Sequence, residues 1–472
     1  MATFKLFNNH LKTTFLLLAL MEATIFFVSV YVAIGIRFNS FDFNSPELLT
    51  YYGTPFPKAV FFMVLHVLGM IALGQYQAEQ YRGRHSFTQM VTRVVVSMLL
   101  VSFAMIIFFF ILPSTQMGRG VTLLAVFISM ICIIILRQIF FHSVDGNLFN
   151  SKVLVFGTGE RAASLIEDQN SRHARTYQIK GFIATPSQIR VVPPELIIEL
   201  DEPLLQLARK LDINEIILAM DDRRRDFPTQ HLLDCKMAGI SIIDPVSFLE
   251  REQGKVNLKL MNPSWMIYSD GFTASRFKAF VSRTFDLIAS ISILLLTFPI
   301  LLLTAFLISL ESGFKEPIFY RQVRVGLDGK QFNLLKFRSM SVNAERNGAV
   351  WATQNDARVT KVGSVIRKSR IDELPQILNI LKGDMRLVGP RPERPEFVNK
   401  LSQSIAMYTQ RHSVKPGLAG WAQLKYPYGA SEADAYEKLQ YDLFYIKNSN
   451  LIMDIFILLQ TLEVVIFGKG AR

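Results

Sequence analysis

The chain has 472 residues, half of them apolar by the set AVILMFWYC and only 19% charged, with a mean hydropathy of +0.27. That balance excludes an ordinary soluble protein, a disordered chain and a small disulfide scaffold, and points to a membrane protein with room for about three structural units. The net charge of +12 is unevenly placed: residues 1–274 hold 24 Lys+Arg against 22 Asp+Glu, and residues 275–472 hold 27 against 17.

Four long apolar stretches, at about 13–36, 57–75, 94–112 and 121–140, occupy the first third. Each can cross a hydrocarbon core of ~30 Å, which takes ~20 residues. The first is too long for a cleavable signal, and no small-residue cleavage site follows it. The loop at 38–56 has no Lys or Arg but carries Asp42 and Glu47, whereas 76–93 carries Arg82, Arg84 and Arg93. The positive-inside rule then puts the N-terminus and everything after residue 140 in the cytosol. Cys132 and Cys235, the two cysteines, suit that reducing compartment. Glu22 and His66 lie within spans, where a polar group marks a function by default. Packing between helices is the reading weighed against it.

At residue 150 the composition becomes that of an α/β unit. Lys152 to Phe156 is a short apolar run ending in Gly157-Thr158-Gly159, and a helical pattern follows. Strand, glycine turn and helix stand in the order that lets helix-start amides hold a phosphate. Gly157 and Gly159 are therefore candidate nucleotide-binding positions, although the same glycines allow close packing with nothing bound. Further strands read at Ile213–Met220 and Gly239–Asp244.

A fifth apolar stretch, Leu287 to Leu310, contains Pro299 and has basic residues on both sides: Arg276, Lys278 and Arg283 before it, Lys315, Arg321, Arg324 and Lys330 after it. Positive charge at both ends argues against a span, and a mid-helix proline removes a backbone hydrogen bond. The expected element enters from the cytosolic face, breaks near Phe298-Pro299 and returns, with a kinked fifth span as the alternative.

The last segment gathers cations and carboxylates in short, rigid settings. Lys336 and Arg338 leave the end of an apolar run together, and Arg367 precedes Asp372-Glu373-Leu374-Pro375-Gln376. Proline suits the first helical turn, so Asp372 and Glu373 should stand at a helix N-terminus. Gly389-Pro390-Arg391-Pro392 holds one arginine between two prolines. An Asp before a helix is most often a cap. Beside this many cations, two carboxylates instead suit phosphoryl transfer, with Mg2+ held by carboxylate and substrate phosphate and Asp as a nucleophile.

Arg324-Val325-Gly326, Lys336-Phe337-Arg338-Ser339-Met340, Asp372 to Gln376, Gly383-Asp384-Met385, Gly389 to Pro392 and Pro416 to Trp421 resemble the motifs of the bacterial sugar transferases, the monotopic polyprenyl-phosphate hexose-1-phosphate transferases. The resemblance covers about 275–472. The whole layout is similar to that of the large members that initiate exopolysaccharide synthesis. Asp222-Arg223-Arg224, Phe248 to Glu252 and Pro263-Ser264-Trp265 resemble the subgroup associated with exosortase systems.

The resemblance implies a multi-pass protein of the bacterial cytoplasmic (inner) membrane. It would comprise a transmembrane region at 1–145, a Rossmann-like α/β domain at 150–268 and a catalytic α/β domain at 275–472, with a re-entrant helix at 284–311. Asp372 would attack the sugar-bearing phosphorus of a UDP-sugar, release UMP and pass the sugar phosphate to undecaprenyl phosphate. Glu373 would bind Mg2+, and Lys336, Arg338, Arg367, Gln376 and Arg391 would hold phosphate or substrate. Members often have Ser before the helix-breaking proline, where this chain has Phe298. Expected partners are the UDP-sugar, undecaprenyl phosphate, inner-membrane lipids, a second copy in a homodimer and downstream glycosyltransferases, and no nucleic acid.

Two rival readings are a membrane-anchored nucleotide-sugar dehydratase or epimerase and a non-catalytic scaffold of a polysaccharide assembly complex. The first needs a second glycine-rich loop and a Tyr-x-x-x-Lys pair, and no such pair occurs in the chain. The second leaves the carboxylate and phosphate motifs without a use. The closing stretch, about 432–466 with Tyr441, Tyr445 and the run Ile455 to Val465, suits amphipathic helices on the membrane surface, with a protein-protein face as the alternative.

Overall fold

The computed structural model describes residues 3–6, 9–72, 75–76, 87–111, 113–143, 151–170, 177–184, 189–222, 227–261, 271, 276–342, 358–426, 429 and 431–466. The chain divides into two compact units, Met1–Gln253 and Gly254–Arg472.

After a short antiparallel hairpin of Thr3–Leu6 with Asn9–Lys12, the first unit continues with helices α1 (Thr13–Phe38), α2 (Pro46–Tyr52), α3 (Pro55–Ala72), α4 (Phe87–Ile111) and α5 (Arg119–Ser143). By length and composition Leu16–Phe38, Met90–Phe109 and Arg119–Phe140 can each cross a membrane, while the apolar part of α3, Pro55–Ile71, is shorter. All four long helices share one core, with Phe26, Phe62, Met98 and Ala125 at its centre. Glu22 is a packing residue there. Its carboxylate accepts from Arg137 Nε at 2.6 Å and Tyr76 Oη at 2.6 Å, and Arg137 Nη1 donates to Gln75 at 2.7 Å. A buried charge is tolerable when paired in this way. His66 packs tilted against the rings of Phe62 and Phe26, with Nδ1 2.9 Å from the Phe62 carbonyl oxygen, and is likewise engaged in packing.

The same unit continues as a parallel α/β sheet built from β1 (Ser151–Phe156), β2 (Tyr177–Ile183), β3 (Ile197–Ile198), β4 (Glu215–Leu218) and β5 (Ser241–Ile243), in the spatial order 3-2-1-4-5. Helices α6 (Glu160–Asn170), α7 (Leu204–Lys210), α8 (Thr229–Met237) and α9 (Pro245–Gln253) connect or follow these strands. Leu154, Phe156, Ile216 and Leu218 are buried, as near-continuous apolar strands covered on both faces should be. In α9, Phe248 meets Tyr177 edge-on, and Arg251 pairs with Glu215 and Glu252. Arg223, Arg224 and Pro263-Ser264-Trp265 lie outside the described residues.

The expected boundary at 268 moves toward the N-terminus. Val256 and Met261 belong to the core of the second unit, Val256 N donates to the Gln440 carbonyl, and Trp421 Nε1 donates to the Gly254 carbonyl at 2.7 Å.

In that second unit, α10 (Arg276–Glu311) is a 36-residue helix that contains Pro299, so the break expected near Phe298-Pro299 does not end the helix. Its two ends reach the same folded unit. Near the start, Arg283 donates to the carbonyls of Ile380 and Leu381, and Asp286 accepts from Arg386 Nε at 3.0 Å and from Leu387 N. Near the finish, Ile308 packs with Phe337 and Ile366, and Glu311 accepts from Val362 N. Between them, Leu295, Leu296, Leu302 and Leu303 are exposed.

The remaining elements are a hairpin of β6 (Phe319–Val325) and β7 (Gln331–Phe337), α11 (Lys361–Lys368), a 3-10 turn (Ile371–Gln376) running into α12 (Ile377–Lys382), β8 (Arg386–Val388), α13 (Pro395–Ser404), a second 3-10 turn (Tyr408–Ser413), β9 (Gly417–Ala419), α14 (Trp421–Lys425), α15 (Glu432–Asn448) and α16 (Leu451–Ile466). β8 and β9 pair in parallel, and a Cβ on Gly417 would come within 2.0 Å of Gly389 N, so only glycine permits that approach. The sequence suggested that the closing helices lie on the membrane surface, but α15 is a core element. It buries Leu439, Tyr441, Leu443 and Tyr445, and Tyr445 Oη donates to Asp454 of α16 at 2.7 Å.

Candidate active site

Four short elements bring the charged residues together. β7 ends at Phe337 and carries Lys336 on its last turn of pleat. Asn379 of α12 clamps this strand, accepting from Leu335 N at 3.0 Å and donating to the Asn333 carbonyl at 2.8 Å. The helical run opposite begins at Arg370, whose backbone is left-handed (φ 57). That reversal directs the chain into the 3-10 turn, so Asp372 and Glu373 stand in the first turn of a 3-10 segment and α12 begins after Gln376. Proline is tolerated near a helical start because few donors are needed there.

Asp372 and Glu373 are 8% and 9% exposed. Glu373 Oε1 accepts from Arg391 Nη2 at 2.8 Å and from Lys336 Nζ at 3.3 Å, and Arg370 Nη1 lies 3.6 Å away. Burial opposes the charge of Glu373, but Arg391, Lys336 and Arg370 outweigh it, so its carboxyl titrates well below the usual range. Burial pushes the Asp372 carboxyl up and the charge of Glu373 adds to this, against the pull of Lys336, Arg367 and Arg370. Burial lowers Lys336, and Glu373 offsets part of the effect. Adjacent carboxylates are thus pushed apart, one firmly ionised and one more basic, the division of roles that acid-base and nucleophilic chemistry uses.

The other predicted residues fall unevenly around this pair. Arg367, in the last turn of α11, acts on Asp372 through its charge. Gln376 is buried, and its Nε2 has no hydrogen-bond partner among the described residues, so a donor stands open one turn beyond Asp372. Arg338 is turned elsewhere. It lies beyond the end of β7, pairs with Glu316 at 2.6 Å and reaches the Ile308 carbonyl of α10. Arg338 therefore makes contacts of its own instead of joining Lys336 at Glu373: once the strand ends, alternate residues no longer share a face.

Two residues of this neighbourhood lie outside the motifs: Arg370 joins the Glu373 cluster, and Asn379 holds the strand that bears Lys336. Arg324, part of the first motif, donates to the Pro392 carbonyl at 2.8 Å. A buried Asn on the apolar face of a short helix was the one local signal for Asn379.

A divalent metal has a restricted place here. Among the described residues no group of three or more His, Cys, Asp or Glu could form a metal cage. Glu373 already carries three cations on one oxygen, so a further cation needs the negative charge of a substrate diphosphate. Mg2+ is commonly held in that way, by one or two carboxylates plus phosphate oxygens, and Glu373 is the carboxylate that would share in it.

The glycine turn of the first unit is occupied by its own chain. Asp221 accepts from the amides of Glu160 at 2.9 Å and Arg161 at 3.1 Å, the donors a nucleotide phosphate would use. A Cβ on Gly159 would come within 1.8 Å of the Asp221 carboxylate, and one on Gly157 within 2.6 Å of the Ala219 carbonyl. Both glycines are accounted for by chain-to-chain approach.

Comparison with known proteins agrees with the second unit's chemistry. The family model described as bacterial sugar transferase matches residues 277–468. A UDP-N-acetylgalactosamine-undecaprenyl-phosphate N-acetylgalactosaminephosphotransferase of Aeromonas hydrophila is 41% identical over 241 residues, 51% of this chain and 56% of that protein. A UDP-glucose:undecaprenyl-phosphate glucose-1-phosphate transferase of Klebsiella pneumoniae is 33% identical over 341 residues, covering 70% and 71%. An undecaprenyl-phosphate galactose phosphotransferase of Salmonella typhimurium is 28% identical over 358 residues, covering 70% and 73%.

Proposed function

The chain belongs to the bacterial sugar transferase family, and from that premise we propose that it transfers a hexose-1-phosphate from a UDP-sugar to undecaprenyl phosphate, the first membrane step in making an exopolysaccharide. The observation that carries the reading is the convergence of Lys336, Arg370 and Arg391 on Glu373, with Asp372 beside it and Arg367 within electrostatic reach.

In the first step a carboxylate oxygen of Asp372 attacks the sugar-bearing phosphorus, the bond to the bridging oxygen breaks, and UMP departs with the bonding electrons. In the second, an oxygen of undecaprenyl phosphate attacks the same phosphorus, giving undecaprenyl-diphosphate-sugar and restoring the carboxylate. Lys336 and Arg391 stabilise negative charge on the phosphoryl oxygens, as preorganised cations do most effectively in a site shielded from water. Gln376 Nε2 offers a further donor. Glu373 would hold Mg2+, which would neutralise charge on the donor diphosphate when bound.

We read α10 as a re-entrant helix with both ends on the cytosolic side. What supports this is that Asp286 and Ile308 pack into one folded unit although a straight helix would separate them by about 33 Å. Pro299 cannot donate to the Leu295 carbonyl, which weakens the helix between those two anchors. The parallel sheet of the first unit has the strand order of doubly wound folds, and we read it as Rossmann-like.

The direct test incubates the purified protein with undecaprenyl phosphate and a panel of UDP-sugars and measures UMP. Release with one or two sugars, dependent on the lipid for more than one turnover, is expected. No UMP with any of them overturns the reading. Glu373→Gln should lower the apparent Mg2+ affinity at least about tenfold, depressing activity far more at low than at high Mg2+. An unchanged Mg2+ dependence would make Glu373 only the anchor of the three cations around it.

A further inference from the structure

Resting on that reading, we propose that Arg411, held by Asp442 and Tyr408, is a positioning residue that aims Arg391 at the substrate phosphate. The segment Gly389 to Glu393 contains two prolines, so two of its five residues have no N–H with which to join a sheet. Its carbonyls hold it instead. Pro390 O accepts from Gly417 N at 2.9 Å, Arg391 O from Arg411 Nη2 at 3.0 Å, Pro392 O from Arg324 Nη1 at 2.8 Å and Glu393 O from Val325 N at 2.9 Å. Four consecutive carbonyls are thus fixed by donors from β6, β9 and the second 3-10 turn, and the donor on the arginine in the middle is another arginine's side chain.

Arg411 is itself rigidly held. Its Nη2 and Nε donate to Asp442 Oδ2 of α15 at 2.8 and 3.2 Å, and its Nη1 donates to Tyr408 Oη at 2.8 Å. Arg411 and Asp442 are 6% and 2% exposed. The guanidinium makes these four hydrogen bonds from one rigid plane, one more than the three donors of an ammonium allow. The chain of contacts runs from Asp442 through Arg411 to the backbone of Arg391, and through the Arg391 side chain to Glu373. The ion pair with Asp442 and the bond to Tyr408 already anchor Arg411, and its fourth hydrogen bond, from Nη2, goes to that one carbonyl. Small misplacements of a charged group at a reacting centre are costly to rate.

The test is a double-mutant cycle on kcat/KM for the UDP-sugar, combining Arg411→Lys with Arg391→Ala, and on the affinity of the UDP-sugar for the same variants made unreactive by Asp372→Asn. In the otherwise wild-type protein, Arg411→Lys should lower kcat/KM roughly 10- to 100-fold. In the Arg391→Ala background the same change should cost less than about twofold, because the group it positions is gone. Equal losses in both backgrounds would show a structural role only and overturn the proposal. If Arg411→Lys does not fold, Tyr408→Phe and Asp442→Asn replace it in the cycle, with the same expectation of coupling to Arg391 and the same refutation by additivity. Wild-type UMP release is measured first. Its failure refutes the transfer reaction and this inference with it, whereas additive cycles in an active enzyme refute this inference alone.

Discussion

Asp372→Asn is expected to abolish turnover, lowering the rate by at least about 10^4-fold, the scale seen when a covalent nucleophile is removed. The amide matches the carboxylate in size and can keep its place in the 3-10 turn, so loss of activity would not follow from loss of fold. It lacks the ionised oxygen that attacks phosphorus. Asp372 is also the member of the pair with chemistry to spare, because the three nearby cations meet on Glu373 Oε1. Wild-type protein given the UDP-sugar without lipid should gain the mass of a hexose phosphate, and the Asn variant should not. Intact-protein mass spectrometry that finds both labelled alike, or the label on another residue, would remove Asp372 from the role.

The residues of this site that were legible in the sequence share a property: each stands where a short element starts or ends. Lys336 closes a strand, Asp372 and Glu373 open a helical run, and Arg391 follows a strand of three residues. Chain punctuation by Pro and Gly marks such ends, so the groups could be placed before their partners were known. What the sequence hides is the long-range contact. Arg411 and Asp442 are 31 residues apart, and Glu22 and Arg137 are 115 apart, with no local pattern tying either pair. Arg370 escaped for another reason, since a non-glycine residue with positive φ carries no compositional signal.

The same limit bears on Lys336 and Arg338, on the glycine turn and on α15. Lys336 and Arg338 are two apart, which in a strand would put them on one face, but the strand ends between them and Arg338 turns to Glu316. The glycine turn at Gly157 and Gly159 has the pattern that a phosphate would need, and the group filling it is Asp221, about 60 residues away. A glycine reports that something comes close and says nothing about what it is. α15 has an amphipathic pattern for a similar reason: its polar positions are those that bind core partners, Asp442 to Arg411 and Tyr445 to Asp454.

The proposed reaction also fixes where the second unit must stand. UDP-sugars are cytosolic and the lipid phosphate lies at the bilayer surface, so Asp372 has to sit on the inner face. The chain on either side of the exposed apolar middle of α10 must then share that side. Cysteines test this at Ser275, before the helix, and at Lys330, chosen because neighbouring Asp328 and Gly329 have left-handed backbones that a new side chain would strain. The background is Cys132→Ala with Cys235→Ala. In intact cells Ser275→Cys and Lys330→Cys should both resist a membrane-impermeant thiol reagent, and both should react once the cells are opened. Reaction of Lys330→Cys alone in intact cells would make α10 a fifth span and put Asp372 across the membrane from its donor. The re-entrant reading expects the other outcome, because in it the contacts of Asp286 and Ile308 hold both ends of α10 against one folded unit on one side of the membrane.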